Sequence, residues 1–231
     1  MNALIRYHFT HYLRSFTYIP PLTILIFTLM LNYTYTPNPI YDSYSFTSLA
    51  LFFMMGWFTV TVFHSEDAAQ KEITLLHARR PWKYHLALYI VCVIMAFLFS
   101  LVSVLYPIVW QAFGSEIYPS HVILGLLSHF SLAFLSIGLS AIFTRELVGH
   151  SLNTWWGVLS ILILSLAATS FPDVGWLNLL YPPVGTSLTM MSIGDGVTVI
   201  PYRYYWQYGW ILLYGFLFIG LYFVRMKKKR R

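Results

Sequence analysis

The chain has 231 residues, of which 58% are hydrophobic and only 10% are charged. A soluble domain of this length needs more charge to cover its surface, so the composition indicates a membrane protein. Abundant Phe, Tyr, Leu and Ile exclude a disordered chain, because these residues bury readily. The net charge of +6 is carried by short segments between apolar stretches, which argues against nucleic acid as a partner.

Residues 1–17 predict an amphipathic helix that lies at the membrane surface. Apolar residues recur on one face at helical spacing, namely Ile5, Phe9, Tyr12, Leu13 and Phe16. Arg6 and Arg14 fall on another face, where they would meet anionic headgroups of membrane lipids. A simple positively charged flank of the first span is the alternative. The segment has no apolar core or cleavage site of a secretory signal, so we expect it in the mature protein.

Seven uncharged stretches are long enough to cross the hydrocarbon core, which takes about 20 residues. We predict that six of them are spans, at roughly 18–35, 45–63, 86–107, 121–144, 151–169 and 206–225. The seventh stretch is broken by prolines and glycines and is a poor continuous span. The predicted fold is an all-α integral membrane protein that forms a single transmembrane domain over residues 1–231. It has six transmembrane helices, an N-terminal amphipathic interfacial helix and an external re-entrant segment between spans five and six.

The distribution of charge sets the predicted orientation. Lysine and arginine near span ends favour the cytoplasm, and six spans with the N-terminus inside leave only Arg203 outside. The external segments then carry four acidic residues, Asp42, Glu116, Asp173 and Asp195. We therefore expect a multi-pass protein of the cell (inner or plasma) membrane with both termini in the cytoplasm.

The stretch 65–84, between spans two and three, predicts a short amphipathic helix on the cytoplasmic side. Ser65 or Asp67 would cap its start, and Pro81 would end it. Such a helix carries both charge signs beside apolar residues and is suited to docking onto a partner. An ordinary solvated loop is the alternative.

The external segment 170–203 is too apolar for a free loop and too broken for a span. Two short helices that dip back into the outer leaflet would satisfy its backbone if neighbouring helices bury it. Packing alone explains such a segment, and a lid over a translocation route is the alternative. The residues expected to define it are Pro172, Trp176, Asn178, Pro182 and Pro183.

Motifs for nucleotide binding and hydrolysis are missing from the sequence. There is no G-x-x-x-x-G-K-[ST], H-E-x-x-H or G-x-S-x-G, so we expect no catalytic residue, no metal site and no ATP hydrolysis by this chain alone. Cys92 is the only cysteine, which excludes an intrachain disulfide and a cysteine-based metal site. For His129 a packed, hydrogen-bonded role is the simpler expectation, and a ligand or proton relay is the alternative. The span interiors hold no Asp, Glu, Lys or Arg, which argues against ion coupling.

This layout resembles the ABC-2 family of ABC transporter permeases over nearly the whole chain. The common order is an amphipathic N-terminal helix, two spans, the SEDAAQKEITLLHARRP helix, three spans and a broken external segment before the last span. The stretch from Pro172 to Pro183 is similar to the family's external re-entrant region. The sequence Glu-Arg-Gly-Thr, which is frequent in the family at the start of this helix, is absent from the helix after span two.

The resemblance implies the transmembrane subunit of a bacterial ABC exporter. The helix after span two would be the coupling helix seated in a groove of the ATPase, with contact residues Glu66, Asp67, Lys71, Glu72, Ile73, Leu76, Arg79 and Arg80. The permease would form a homodimer, or a heterodimer with a second permease, on two cytoplasmic nucleotide-binding subunits. Those subunits would carry ATP and Mg, so this chain would need no cofactor.

The uncharged spans favour a hydrophobic or amphipathic cargo. A small peptide such as a bacteriocin or cytolytic peptide is the preferred substrate, and lipid-linked glycans and drugs stay open. Two other classes of function also stay open. An ion-coupled carrier or channel would work without an ATPase partner, whereas a non-transporting sensor or assembly protein would use the 65–84 helix only to recruit a partner.

Overall fold

The computed structural model of the chain describes residues 1–78, 80–167, 181–197 and 199–229. Within these ranges the chain is helical, and one isolated bridge joins Asn38 and Phe113. The predicted all-α class is therefore confirmed. The described helices are α1 (Asn2–Ser15), α2 (Ile19–Asn32), α3 (Ile40–Phe63), α4 (Ala68–His77), α5 (Pro81–Val109), α6 (Pro119–Ala141), α7 (Ser151–Ala167), α8 (Val184–Met191) and α9 (Tyr202–Lys229).

Four of these helices, α3, α5, α6 and α9, are long and apolar enough to cross a membrane. The shortest, α6, has 23 residues. At 1.5 Å per residue it extends about 35 Å, which covers a hydrocarbon core of about 30 Å. Helices α1 and α2 pass the same requirement only as a pair, and they are bent by 78° at the break between them. The described residues are thus those of a membrane-embedded helical protein and include four long apolar helices, or five candidate spans if the bent pair counts as one.

The predicted first and fifth spans coincide with shorter helices. Helix α2 has 14 residues and extends only about 21 Å. It stops at Asn32, and the chain then turns through a segment that contains Pro37 and Pro39. Helix α7 has 17 residues and extends about 25 Å. Its predicted end at residue 169 lies outside the described ranges, so six spans stay a prediction.

Three of the other predicted spans, 45–63, 86–107 and 206–225, lie within α3, α5 and α9. The fourth, 121–144, overlaps α6 but runs three residues past its end at Ala141. Helix α3 starts at Ile40, ahead of the predicted residue 45, because the Asp195 carboxylate accepts hydrogen bonds from its first amides. Helices α5 and α6 open with Pro81 and Pro119, whose fixed backbone angle suits the first turn of a helix.

The two ends of the bundle differ in charge. The end where α3 and α6 finish and α5 begins is called the basic end below. The C-terminal part of α9 lies there too, since the Tyr222 hydroxyl is 2.9 Å from His85 Nδ1 near the start of α5. Among the described residues, the basic side chains around this end include Arg6, Arg14, Lys71, Arg80, Lys83, Arg145, Arg225, Lys227 and Lys228. The opposite end carries Arg203 and the acidic residues Asp42, Glu116 and Asp195.

Helices α3 and α6 form the centre of the bundle and are joined by buried polar side chains. His129 is fully buried; its Nδ1 donates to the Gly125 carbonyl oxygen at 2.7 Å, and its Nε2 lies 3.0 Å from the Thr47 hydroxyl. Ser128 donates to the Ser48 hydroxyl at 3.1 Å. The Nδ1 bond lies within α6 and the Nε2 contact reaches α3, so both ring nitrogens of His129 are used, as in the packed role that the sequence favours.

The external segment is described from residue 181 onward, apart from residue 198. It contains one short helix, α8, which Pro183 precedes as the N-cap residue, and Pro182 beside it is buried. The Ser187 side chain of α8 is fully buried and lies 2.8 Å from the Ser128 hydroxyl of α6. The described part of this segment is thus packed among the helices. Three residues expected to define it, Pro172, Trp176 and Asn178, lie outside the described ranges.

Candidate functional site

Helix α4 is a short helix at the basic end, between two long apolar helices. The Asp67 side chain caps its start by accepting a 2.8 Å hydrogen bond from the Gln70 amide, so of the two expected caps the aspartate is used. The helix ends at His77, a few residues ahead of Pro81, where the sequence predicted its end. The chain is extended at Arg80, because a residue that precedes a proline disfavours the helical conformation, and Pro81 then opens α5.

The outer side of α4 is apolar and does not pack on the bundle. Ile73 is 58% exposed and Leu76 is 79% exposed, and Glu72, one turn before Leu76, is exposed as well. No residue of α4 is fully buried. Two exposed branched apolar side chains one turn apart are typical of a surface that another molecule covers.

A groove of about 830 Å³ runs between α1 and α4 beside this outer side. Its walls include Leu4 and Tyr7 from α1 and Ile73 and Thr74 from α4. Lys83, at the start of α5, also lines the groove. The exposed apolar side of α4 is therefore continuous with a concave surface large enough to receive side chains of a partner.

We call the contacts that join the inner side of α4 to its neighbours the junction. Glu66 lies within it. Only 7% of its surface is exposed, and its carboxylate accepts hydrogen bonds from the Tyr84 hydroxyl at 2.7 Å and from the Thr74 hydroxyl at 3.2 Å. His8 Nδ1 of α1 lies 3.9 Å from the same carboxylate. Glu66 thus connects α1, α4 and α5, because a buried carboxylate is stable only with such donors around it.

A second connection ties α4 to the segment after α6. The Lys71 ammonium forms an ion pair with the Glu146 carboxylate. Beside it, His64 Nε2 accepts a 2.9 Å hydrogen bond from the Arg145 backbone amide. Burial, and next the charges of Arg145 and Lys71, lower the pKa of His64 to about 4. The ring is therefore neutral near pH 7 and able to accept this bond.

Helix α1 is joined to the same junction by two further hydrogen bonds. The Gln70 side-chain amide of α4 donates to the Tyr7 hydroxyl at 2.8 Å. The Tyr12 hydroxyl lies 2.8 Å from the Thr61 hydroxyl near the end of α3. A displacement of α4 is thus opposed by contacts with α1, α5 and the segment after α6.

The structure separates the predicted contact residues into two groups. Glu72, Ile73, Leu76 and Arg80 lie on the surface, and Asp67 is exposed while it caps α4. Glu66 and Lys71 instead point inward, where each has partners within the chain. Arg79 lies outside the described residues.

Sequence reasoning missed the partners on the inner side, namely Tyr7, His8, Tyr84, Glu146 and the pair His64 and Arg145. These residues lie far along the chain from those that they contact, so no local pattern connects them. The only signal was chemical, since an acid beside a long apolar helix needs donors if it is buried.

Among the described residues, no group of three or more His, Cys, Asp or Glu side chains could hold a metal ion. The arrangement at the basic end is one of mechanical connections around α4 rather than a cluster of reactive groups. In comparisons with known proteins, no family model matches the chain, and neither a curated protein nor a solved structure resembles it significantly.

Proposed function

We propose that this chain is the transmembrane permease subunit of an ATP-driven ABC exporter. The observation that carries the proposal is the two-sided character of α4. Ile73 and Leu76 on its outer side are exposed, while Glu66 and Lys71 tie its inner side to the bundle. A helix of this kind receives a partner on one side and passes movement to the membrane helices on the other.

The partner in this proposal is a cytoplasmic ATPase subunit that binds ATP and Mg. It binds the outer side of α4 and the adjoining groove. Ile73 and Leu76 supply apolar contacts there, and Glu72 and Lys83 supply charged groups. Closure of the ATPase subunits on ATP pushes α4. The connections from Glu66 carry that push to α1 and α5.

In the proposed topology the chain crosses the membrane six times, with the basic end in the cytoplasm. The excess of Lys and Arg at that end supports this orientation. Helix α7 starts at the basic end, where Gly157 packs on the Phe143 ring, and the next described helix, α8, lies near the opposite end. Local thinning of the bilayer accommodates short helices such as α2 and α7.

The proposed cargo is a hydrophobic or amphipathic molecule, with a small peptide preferred. The polar groups buried between α3 and α6 are uncharged hydroxyls and His129. Such an interior is unsuited to coupling by ions, because ion-coupled carriers place charged groups along their path. Dimerisation with a second copy or a sister permease completes the proposed exporter.

Co-purification tests the proposal. A P-loop ATPase sought among the neighbouring genes is expressed together with the chain, and the chain is isolated from membranes through a tag. We expect the ATPase to co-purify in stoichiometric amount, and Leu76→Asp to abolish this. Val199→Asp, at a residue 77% exposed near the opposite end, is the matched control and keeps the complex. Retention of the ATPase by Leu76→Asp contradicts the proposed contact.

A further inference from the structure

A second groove lies on the side of α1 that faces away from the bundle. Its volume is about 790 Å³, and its lining includes Arg6, Thr10, His11 and Arg14 of α1 and Gln70 of α4. We call it the arginine groove. Arg6 and Arg14 are both exposed and lie about 12 Å apart along the helix axis, so a group between them contacts both side chains.

The two guanidinium groups have no anion within the described part of the chain. Both described ion pairs involve other residues. The first acidic residue in the sequence is Asp42, far beyond the end of α1. His11 Nε2 is also buried without a hydrogen-bond partner in the described residues. Three nitrogen-bearing side chains thus line one groove whose described lining holds no carboxylate.

An apolar groove of about 280 Å³ adjoins the arginine groove. Ile5 and Phe9 of α1 and Ile94 of the long apolar helix α5 line it, and Arg6 borders both grooves. Ile94 is 39% exposed on the outer surface of α5. A site for anions is therefore continuous with an apolar channel that leads onto the surface of a membrane-spanning helix.

The orientation of α1 places both grooves at the boundary of the membrane. Helix α1 is bent by 78° from α2, whose outer residues are apolar and exposed. Phe16, at the bend, is 63% exposed and Leu13 is 43% exposed. A helix in this position lies nearly along the surface, with apolar residues at acyl depth and arginines at headgroup depth.

We propose that the two grooves together bind an anionic phospholipid. Arg6 and Arg14 hold the phosphate-bearing headgroup, since the planar guanidinium matches phosphate with paired hydrogen bonds. His11 Nε2 adds a hydrogen bond to the same headgroup. An acyl chain lies along Ile5, Phe9 and Ile94. The apolar groove distinguishes this ligand from a free anion, which would leave it empty.

The test uses the purified full chain in a non-ionic detergent and measures its thermal midpoint. Dioctanoyl phosphatidylglycerol is titrated in one arm, dioctanoyl phosphatidylcholine in a second and inorganic phosphate in a third. We expect saturable stabilisation by phosphatidylglycerol alone. Equal stabilisation by phosphatidylcholine, or saturable stabilisation by inorganic phosphate at the same concentrations, overturns the proposal.

Charge-matched variants assign the site. Arg6→Gln with Arg14→Gln is expected to weaken phosphatidylglycerol binding by about 30-fold. Arg225→Gln with Lys227→Gln removes the same charge from exposed residues of α9 and leaves the affinity within about threefold. Equal loss in both pairs shows general charge attraction and overturns the assignment. Arg6→Lys keeps the charge but loses the guanidinium fork, so an intermediate loss is expected even if the double variant is unstable.

Discussion

The Tyr84 hydroxyl donates a 2.7 Å hydrogen bond to the Glu66 carboxylate, and this bond joins the start of α5 to the segment that precedes α4. Both residues are buried, and the Tyr84 ring also meets the His8 ring of α1 edge-on at a centroid distance of 4.8 Å. One acid therefore fixes the position of α4 relative to two other helices. The predictions below test the connections around it.

Replacement of Tyr84 by phenylalanine removes one donor and keeps the ring. We expect the free energy of unfolding to fall by about 1–3 kcal/mol, because the buried Glu66 carboxylate loses one of its hydrogen bonds. Unfolding in detergent micelles measures the change. The control is Tyr35→Phe, at a tyrosine 84% exposed, which is expected to change stability by less than about 0.5 kcal/mol. Equal losses in the two variants would refute the anchoring role of Glu66.

The Lys71–Glu146 ion pair is expected to behave as a pair in a charge-swap experiment. Lys71→Glu places two carboxylates side by side and loosens α4. We expect the free energy of local unfolding of α4 to fall by on the order of 1 kcal/mol. Combining it with Glu146→Lys restores attraction and recovers most of that loss. Hydrogen exchange of the α4 amides is the measurement, and Lys228→Glu is the control at an exposed lysine. If the swap recovers nothing, Lys71 and Glu146 do not act together.

Acidification is expected to weaken the junction through His64. Its pKa in the folded protein is lowered to about 4, below the value of about 6.5 in an unfolded chain. The unfolded chain therefore binds a proton first as the pH falls, so the stabilisation is complete above about pH 6.5 and is lost toward pH 4. The thermal midpoint measured from pH 7.5 to 4.5 tests this.

His64→Gln removes the titrating ring and is expected to flatten that pH dependence. His150→Gln, at an exposed histidine after α6, should keep the wild-type slope. A wild-type slope in His64→Gln would show that other groups cause the acid sensitivity.

Asp195 is expected to stabilise the start of α3 from the loop between α8 and α9. Its carboxylate accepts from the Ile40 and Tyr41 amides at 2.8 and 3.0 Å. Asp195→Ala should lower the free energy of unfolding by about 0.5–2 kcal/mol, as the loss of a helix cap does. Asp42→Ala removes an exposed acid from the first turn of the same helix and should cost less. Faster hydrogen exchange at Ile40 and Tyr41 in Asp195→Ala, but not in Asp42→Ala, checks the cap directly.

The sequence predicted long helices well because apolarity over many residues is a local property. The spans at 45–63 and 86–107 lie inside α3 and α5. The sequence did not predict those helix ends that are determined by residues far away in the chain. Asp195 extends the start of α3, and no pattern near Ile40 contains that information.

Helix α2 illustrates a second limit. The apolar stretch 18–35 is long enough for a span, yet the helix covers only Ile19–Asn32. Phe16, in a left-handed conformation at φ 56°, turns the chain between α1 and α2. The prediction of a surface helix ahead of the first span implied a bend near this point, but it gave neither the angle of 78° nor the end of α2 at Asn32.

The helix at the candidate site was predicted from the sequence, but its contacts were not. The position of α4 and its Asp67 cap followed from local rules. Glu66 was expected on the partner surface, and it is buried against Tyr84 and His8 instead. Local helical periodicity places a side chain on a face of its helix, and only the packing of other helices decides whether that face is covered.

Export by the reconstituted complex tests the central claim most directly. The chain and the proposed ATPase subunit are placed in lipid vesicles, and peptide transport is measured together with ATP hydrolysis. We predict that Glu72→Arg and Leu76→Asp lose ATP-driven export, whereas Glu116→Arg, at an exposed acid of the opposite end, retains it. Unchanged export by both α4 variants, or export by this chain with no ATPase subunit present, would contradict the claim that α4 receives the driving force.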